Sequence, residues 1–321
     1  MKPTAKLRWL VVGIGDITRK RVIPAILAEP DSELYGLITR DPAKASAYPG
    51  ARVWTSLAEG LRDPAVQAVY IASPVALHAE QTIAALRAGR HVLCEKPVAM
   101  NYAQAQSMVA VAREGPGHFG IAYYRRLYPK LRRARRLIEA GAVGRPVLAY
   151  ACSHGWLESE GRGWLRDPAL AGGGPLYDTG SHRIDAFNFL FGRPARATGL
   201  LSNVVHQLGV EDAATAVIDY ENGVRGVVDV RWNSRIVRDE FRVIGTDGEM
   251  DLTPLNGPEL RCGNTIETLP AHPNVHYPLL ENFAAAVRGD EALACPGEDA
   301  ILVDWVTQRV VNSSTGADTP S

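Results

Sequence analysis

The amino-acid sequence predicts an α/β protein built on two different sheets. Between residues 7 and 123, short apolar runs alternate with helical patterns. This alternation is typical of a doubly wound, parallel Rossmann sheet. Beyond Pro146 the apolar runs lengthen, and Asn222-Gly223 separates two of them. Because Asn-Gly accepts the positive φ angles of a tight hairpin, the second half predicts an open, mostly antiparallel sheet with helices on one side.

The chain length supports two domains or one large α/β domain, because 321 residues exceed what one small core accommodates. We expect an N-terminal domain at 1–122 and a C-terminal domain at 123–321. The closing helices of the second domain are free to pack back on the first.

In the first half, each strand ends at a turn or at the start of a helical pattern. Strands are expected at Leu7–Gly13, Glu33–Thr39, Ala68–Ala72, His91–Glu95 and His118–Tyr123, with a short strand and helix within Val53–Leu61. Helices are expected at Thr18–Ala28, His78–Ala88 and Tyr102–Glu114. Gly89 ends the second of these helices, as glycine commonly does.

The second half begins with an arginine-rich helix and continues with longer strands. The apolar stripe of Leu131, Ala134 and Ile138 predicts a helix over Pro129–Ala140, with its arginines on a solvated face. Strands are expected at Pro146–His154, Arg196–Val205, Ala213–Tyr220, Val224–Trp232, Glu240–Gly245 and Glu249–Leu252. Closing helices are expected at Tyr277–Arg288 and Glu298–Val311.

Composition excludes several classes of partner. The 35 basic residues equal the 35 acidic ones in number, so nothing favours a nucleic acid or an anionic membrane. No apolar run reaches the roughly 18 residues of a membrane helix. The cysteines are scattered without a CxxC pair, so we expect no metal site, no disulfide and a reducing cytoplasm.

A glycine-rich turn follows the first predicted strand and opens the first helix. The turn reads Gly13-Ile14-Gly15-Asp16-Ile17-Thr18. In that context a GxGxx[G/A] turn holds a pyrophosphate against a helix N-terminus. We therefore expect Gly13, Gly15, Asp16 and Ile17 to bind a dinucleotide. The alternative is an ordinary turn between a strand and a helix.

The end of the second strand bears on the choice between NAD and NADP. An acidic residue there reads the ribose 2′-hydroxyl of NAD, but this chain has Thr39-Arg40-Asp41. Arg40 can pair with the 2′-phosphate of NADP. We expect Thr39 and Arg40 to contact the cofactor and favour NADP, with NAD possible. The alternative is a solvated Arg40, with Asp41 capping the next helix.

Two later strands end in polar residues at the edge where ligands bind in open α/β sheets. Ser73 and Pro74 follow one strand, with His78 on the next helical turn. Glu95-Lys96-Pro97 follows the other. We expect all of these except Pro97 to lie at the cofactor, with Lys96 bonding the substrate oxygen during hydride transfer. The alternatives are a structural His78 and a solvated Lys96.

A second cluster of candidates lies at residues 172–183. Three consecutive glycines there predict close approach of the chain to a ligand. Asp178 and His182 are four residues apart, so a helix places them on one face. The carboxylate can orient the imidazole, which transfers a proton near neutral pH. The alternative is a capping Asp and a packed core His, and no third metal ligand at matching spacing is evident.

Four further residues are candidates for the substrate site. Tyr124 and Arg126 end the first half, where a cleft between domains is expected. Trp164 and Arg166 precede the glycine run. Packing or surface contacts explain Trp164 and Arg166 equally well.

These residues together resemble the Gfo/Idh/MocA oxidoreductases, the family of glucose-fructose oxidoreductase and inositol dehydrogenase. The resemblance rests on the run from Ala68 through Pro97 and on residues 172–182. It implies a dinucleotide-binding Rossmann domain, followed by a substrate-binding and oligomerisation domain. It also implies a cis bond before Pro97, and Lys96, Asp178 and His182 as the catalytic set.

The resemblance implies hydride transfer between a nicotinamide cofactor and a sugar, cyclitol or related polyol, by a homodimer or homotetramer. Two positions depart from the family: Thr39 replaces a usual Asp of NAD users, and Val75 replaces a frequent Asn. Residues 167–174 are similar to the dihydrodiol dehydrogenase and sugar reductase branch, which generally uses NADP. Two alternatives stay open, an NAD-dependent glycoside hydrolase with transient oxidation and a non-catalytic nicotinamide-binding sensor.

Overall fold

The computed structural model describes residues 6–158 and 163–316. Its first six strands are β1 (Leu7–Val12), β2 (Ser32–Ile38), β3 (Arg52–Trp54), β4 (Ala68–Ile71), β5 (His91–Cys94) and β6 (Phe119–Ile121). The later strands are β7 (Pro146–Trp156), β8 (Pro194–Ser202), β9 (Ala213–Tyr220), β10 (Arg225–Arg231), β11 (Asn233–Gly245), β12 (Glu249–Asp251), β13 (Glu259–Cys262) and β14 (Thr265–Thr268).

The α-helices alternate with the strands in the first half and flank them in the second. They are α1 (Ile23–Ala28), α2 (Leu57–Leu61), α3 (His78–Arg87), α4 (Tyr102–Glu114), α5 (Pro129–Glu139), α6 (Pro168–Ala171), α7 (Ser181–Phe191), α8 (Tyr277–Arg288) and α9 (Gly297–Thr315). Within the described ranges, no helix combines the length and apolarity needed to cross a membrane.

The chain divides into two compact units. The first comprises residues 1–99, 103–124 and 272–300, and the second comprises 100–102, 125–271 and 301–321. The segment 272–300 thus follows the second sheet in sequence but belongs to the first unit. Its helix α8 places Phe283 against Trp9 of β1, with ring centroids 5.2 Å apart, and both side chains are fully buried.

The sheet of the first unit is parallel and has six strands in the order β3-β2-β1-β4-β5-β6. This is the strand order of a dinucleotide-binding Rossmann fold. The strands are short and almost entirely apolar, as expected where helices cover both faces. The predicted parallel α/β sheet is confirmed.

The second unit contains an eight-stranded sheet in the order β14-β13-β12-β11-β7-β10-β9-β8. The β7–β10 pairing is parallel, whereas the other pairings are antiparallel. Buried and partly exposed residues alternate along β9 and β10, which is typical of a sheet with one covered face. The predicted open, mostly antiparallel sheet is also confirmed.

Three differences between the local structure and the prediction have a clear description. The helix expected at Thr18–Ala28 begins with a π-helical stretch, Thr18–Val22, because Pro24 has no N–H to continue the α-helical ladder. Strand β11 begins at Asn233 rather than Glu240. Its early part carries Arg235, Arg238 and Asp239 rather than alternating apolar residues, and its pairing with β7 is irregular between Asn233 and Arg238. The hairpin of β13 and β14 around Gly263 was not predicted.

Candidate active site

The carboxyl ends of three neighbouring strands bring the first group of candidates to one edge of the parallel sheet. Gly13 follows β1, Ser73 lies two residues after β4, and Lys96 lies two residues after β5. Strand order reverses between β1 and β4, and open α/β sheets bind ligands in the crevice at such a point. The structure therefore gathers these candidates as the sequence predicts.

In the glycine-rich turn, the backbone at Gly13 lies close to Ala72, whereas the space beside Gly15 is open. Gly13 has a φ of +90°, and a Cβ there would lie 2.9 Å from the Ala72 carbonyl oxygen. A Cβ on Gly15, in contrast, would meet nothing within 4 Å. Gly13 thus allows the turn itself, whereas Gly15 keeps open the space that the phosphates need.

The helix after this turn presents its N-terminus to the same space. Its first internal hydrogen bond runs from the Arg19 N–H to the Gly15 carbonyl at 3.1 Å. The N–H groups of Asp16 and Ile17 precede that bond, as expected of donors at a helix start. The Thr18 hydroxyl accepts from the Gly15 N–H at 2.8 Å and donates to the Gly15 carbonyl at 2.9 Å. These residues fit the pyrophosphate of a dinucleotide.

The two side chains at the helix start face solvent. The Asp16 carboxylate bonds Lys20 at 3.1 Å and Arg19 at 2.7 Å. These hydrogen bonds lower the pKa of Asp16. Ile17 is 37% exposed. Contact of either side chain with a cofactor stays a prediction.

The end of β2 is arranged around Thr39 and Asp41. The Thr39 hydroxyl accepts from the Asp41 N–H and donates to the Asp41 carbonyl, both at 3.1 Å. The Asp41 carboxylate accepts from the Ala43 N–H at 3.1 Å and so caps a short 3₁₀ helix. Arg40, between them, is exposed. The capping role of Asp41 is confirmed, and its carboxylate is therefore already hydrogen-bonded within the protein.

His78 connects the end of β4 to the turn that carries Lys96. The ring nitrogens Nδ1 and Nε2 lie 3.0 Å from the carbonyl oxygens of Pro97 and Ser73 respectively. The side chain is buried, and burial lowers the pKa of His78 despite both carbonyl contacts. The Ser73 hydroxyl bonds Gln81 at 2.7 Å. These contacts favour a structural His78, while cofactor contact by His78, Ser73 or Pro74 stays a prediction.

Glu95 hydrogen-bonds the turn that carries Lys96 and residues on two neighbouring elements. Its Oε1 accepts a hydrogen bond from the Tyr70 hydroxyl at 2.7 Å and lies 3.4 Å from His276 Nε2, while Oε2 accepts from the Lys96 N–H at 3.3 Å. Burial by itself raises the pKa of Glu95, but these donors and the Lys96 charge outweigh burial and lower it. The Lys96–Pro97 peptide bond is cis, as the family resemblance implies.

In the second unit, Asp178 and His182 lie on consecutive turns of one helical stretch. Asp178 belongs to the π-helical stretch Leu176–Gly180, which continues directly into α7 at Ser181. Asp178 is partly exposed, whereas His182 is buried at 6% exposure. Their spacing places both side chains on one face. In the described part of the chain, no cluster of three His, Cys, Asp or Glu side chains suits a metal ion.

Glu211, which sequence reasoning missed, holds the start of this helical stretch. Its carboxylate accepts from the Gly174 N–H at 2.8 Å and from the Leu176 N–H at 3.1 Å. Burial raises the pKa of Glu211. A Cβ on Gly174 would collide with the Glu211 carbonyl. The close approach predicted for this glycine is therefore to the protein's own backbone, and a carboxylate 37 residues away leaves no local signal.

Of the four candidates for the substrate site, Tyr124 and Arg126 pack against other side chains of the protein. The Tyr124 ring packs on His276 at 4.9 Å between centroids. Arg126 is buried and forms a bidentate pair with Asp185 at 2.7–3.2 Å. This pair gives Arg126 a structural role, so its contact with a substrate, like that of Tyr124, stays a prediction.

Trp164 and Arg166 lie in the short helical turn Gly163–Arg166. Trp164 is 38% exposed, and Arg166 donates to the Glu158 carbonyl at 2.8 Å. Arg166 also borders a cleft of about 460 Å³ within the second unit, lined by Trp156, Leu157, Glu158, Arg166, His206, Leu208 and Arg235. A role in substrate binding stays a prediction for both residues.

Comparison with known proteins agrees with this geometry in both units. Residues 7–123 match the oxidoreductase family with an NAD-binding Rossmann fold, and residues 131–251 match the GFO/IDH/MocA C-terminal domain. The chain belongs to the Gfo/Idh/MocA oxidoreductases. The resemblance predicted from the sequence motifs is thus confirmed, and this family member is an NAD(P)-dependent oxidoreductase acting on hydroxyl or carbonyl groups.

Two curated relatives and one solved structure illustrate the similarity. The chain is 32% identical over 308 residues to 1,5-anhydro-D-fructose reductase of Ensifer adhaerens, covering 92% of each protein. It is 28% identical over 261 residues to D-xylose 1-dehydrogenase [NADP(+)] of Haloarcula marismortui, covering 77% of this chain and 72% of the relative. A levoglucosan dehydrogenase in complex with NADH and levoglucosan superposes with a TM-score of 0.88 at 21% identity, covering 97% and 98% of the two chains. The last comparison supports the fold alone.

Proposed function

We propose that this family member transfers a hydride between NADP and a sugar, cyclitol or related polyol or carbonyl compound. The observation that carries the proposal is that regular secondary structure positions each of the three proposed catalytic side chains. Lys96 follows a strand at the ligand-binding edge of the Rossmann sheet, and Asp178 and His182 share one face of a helix fixed by Glu211. The curated relatives acting on anhydrofructose and xylose support the substrate class.

The preference for NADP rests on the end of β2. The Asp41 carboxylate is bonded to the Ala43 N–H, and Thr39 cannot accept two ribose hydroxyls as a carboxylate does. Arg40 is exposed beside them and suits a 2′-phosphate, with which a guanidinium forms charge-assisted bonds. The relative from Haloarcula marismortui is named for NADP(+).

In the mechanism we propose, the turn at Gly13 and Gly15 would hold the pyrophosphate of the cofactor, whose nicotinamide would supply the hydride donor or acceptor. Lys96 donates a hydrogen bond to the substrate oxygen and stabilises negative charge there. His182 takes the hydroxyl proton in oxidation and returns it in reduction. Asp178 orients the imidazole and stabilises its charged form.

We also propose a cytoplasmic homodimer or homotetramer that associates through the open face of the second sheet. On that face, Leu200 of β8 is 72% exposed and Ile244 of β11 is 37% exposed. Three of the free cysteines are buried and one is partly buried, which is compatible with a reducing compartment. Sedimentation equilibrium of the protein and of Leu200→Glu tests the assembly, and a monomer in both samples contradicts it.

The decisive experiment is turnover by active-site variants on a substrate found by screening. Sugars, inositols and aldoses are tested with NADP(H) and NAD(H) by nicotinamide absorbance. Lys96→Met and His182→Asn should each lower kcat at least about 100-fold while cofactor still binds. The exposed residues Lys44 and His118 provide matched controls, Lys44→Met and His118→Asn. Near-normal turnover in the active-site variants rejects the assignment.

A further inference from the structure

The residue at the start of α8, His276, faces the carboxylate that anchors the Lys96 turn. His276 is 1% exposed, and its Nε2 lies 3.4 Å from Glu95 Oε1. Its Nδ1 has no hydrogen-bond partner among the described residues. A neutral ring protonated on Nε2 leaves no buried N–H unsatisfied, whereas a proton on Nδ1 does, at a free-energy cost. The geometry therefore favours an Nε2–H that points toward Glu95.

Glu95 transmits this contact to the catalytic turn. One carboxylate oxygen faces both His276 and the Tyr70 hydroxyl, and the other accepts from the Lys96 N–H at 3.3 Å. The negative charge of Glu95 also acts on the Lys96 ammonium. The Glu95 side chain is 12% exposed, and a carboxylate held from two sides in this way fixes the backbone to which Lys96 is attached.

The segment before His276 is tied to the helix that follows the glycine-rich turn. The Asn274 amide donates to the Arg21 carbonyl at 2.8 Å, and the Arg21 guanidinium donates to the Pro273 carbonyl at 2.9 Å. The His276 N–H bonds the Asn274 side chain at 3.1 Å. This segment therefore connects the phosphate-binding helix with Glu95 inside the first unit, although it lies 181 residues from Glu95 in sequence.

We propose that His276 is a positioning residue for hydride transfer, which holds Glu95 and, through Glu95, the turn that carries Lys96. The inference rests on the proposed function of Lys96 and adds a residue from a different part of the chain. His276 itself touches neither substrate nor cofactor in this proposal. It acts by keeping the lysine in the geometry that the reaction needs.

The first test compares two replacements of His276. His276→Phe keeps the ring volume and removes the donor, and we expect kcat to fall about 10- to 100-fold, because a small misplacement of a catalytic group has that effect. His276→Gln keeps an N–H near the position of Nε2 and should recover most of the turnover. The cofactor dissociation constant and KM should change little in either variant. Equal loss in both variants contradicts the proposal.

A double-mutant cycle tests whether His276 acts through Glu95. If it does, adding His276→Phe to Glu95→Gln lowers kcat no further than Glu95→Gln alone. Independent, multiplying losses contradict the proposal. Circular dichroism and thermal unfolding verify that each variant is folded, and His118→Gln, which removes an exposed histidine of the same unit, serves as the control.

A measurement that needs no turnover separates this inference from the proposed function. In protein labelled with ¹³C-lysine, the Lys96 Cε signal is identified by its loss in Lys96→Met. We expect this signal to move in His276→Phe and to keep its position in His276→Gln and His118→Gln. An unmoved signal in His276→Phe overturns the inference whatever the activity. Full turnover by Lys96→Met overturns the proposed function, while the spectra still decide the role of His276.

Discussion

Glu211→Ala is predicted to weaken the fold and to disturb the helix of the proposed acid/base pair. The substitution removes the acceptor of the Gly174 and Leu176 N–H groups, both in a buried environment. Each N–H left unsatisfied costs roughly 1–3 kcal/mol, so the free energy of unfolding should fall by about 2–6 kcal/mol. For a domain of ordinary size, each kcal/mol corresponds to a melting-temperature shift of about 2–4 °C.

Urea unfolding followed by tryptophan fluorescence measures this loss, and kcat on the screened substrate measures the functional effect. Glu221→Ala is the matched control, because Glu221 is exposed at the β9–β10 hairpin with a long 3.6 Å contact to Arg193, and exposed pairs contribute little. Glu211→Gln keeps one acceptor oxygen and should lose less stability than Glu211→Ala. A stability loss for Glu211→Ala no larger than that for Glu221→Ala refutes the reasoning.

Three further predictions concern the first unit. Arg40→Ala should weaken NADPH binding about 10- to 100-fold, because charge-assisted hydrogen bonds to the 2′-phosphate are lost, and should have little effect on NADH binding. Fluorescence titration measures both affinities, with Arg62→Ala as the exposed control. Equal losses for the two cofactors contradict the NADP preference. Gly13→Ala should lower the melting temperature because the φ of Gly13 is +90°, whereas Gly15→Ala should keep the fold and weaken cofactor binding. Thermal unfolding and cofactor titration measure the two effects. Identical behaviour of the two variants in both measurements contradicts the assignment of this turn to phosphate binding. Burial, reinforced by His118, lowers the pKa of His91 from 6.5 to about 4. As pH decreases, the unfolded chain therefore binds the proton first, and the free energy of unfolding falls between pH 6.5 and about 4. In urea titrations across this range His91→Asn should show a shallower fall, and an unchanged slope rejects this account.

Elements with a strong period and clear end signals were predictable from the sequence. The helices Tyr102–Glu114 and Tyr277–Arg288 and the strand Ala213–Tyr220 begin and end where the sequence places them. Their apolar spacing is regular, and burial in the fold follows the same spacing. The motif after β1 and the turn at Lys96 were also predictable, because both are recognised from residues directly after a predicted strand.

Features that depend on distant contacts were not predictable. Glu211 and His276 are recognised only when the fold brings them to Gly174 and Glu95, 37 and 181 residues away. Arg126 gives another example: its place after a strand gave no sign that its side chain pairs with Asp185, 59 residues away, and its contact with a substrate stays a prediction. A local pattern carries no information about which buried partner a charged side chain will meet.

A crystal structure of the protein with NADP and a substrate or its inert analogue tests the central claim most directly. The account predicts that Lys96 Nζ and His182 Nε2 both lie within about 3.2 Å of the reacting oxygen, the reach of a direct proton donor or acceptor. A complex in which either atom is out of hydrogen-bond reach of that oxygen, with no bridging water, contradicts it.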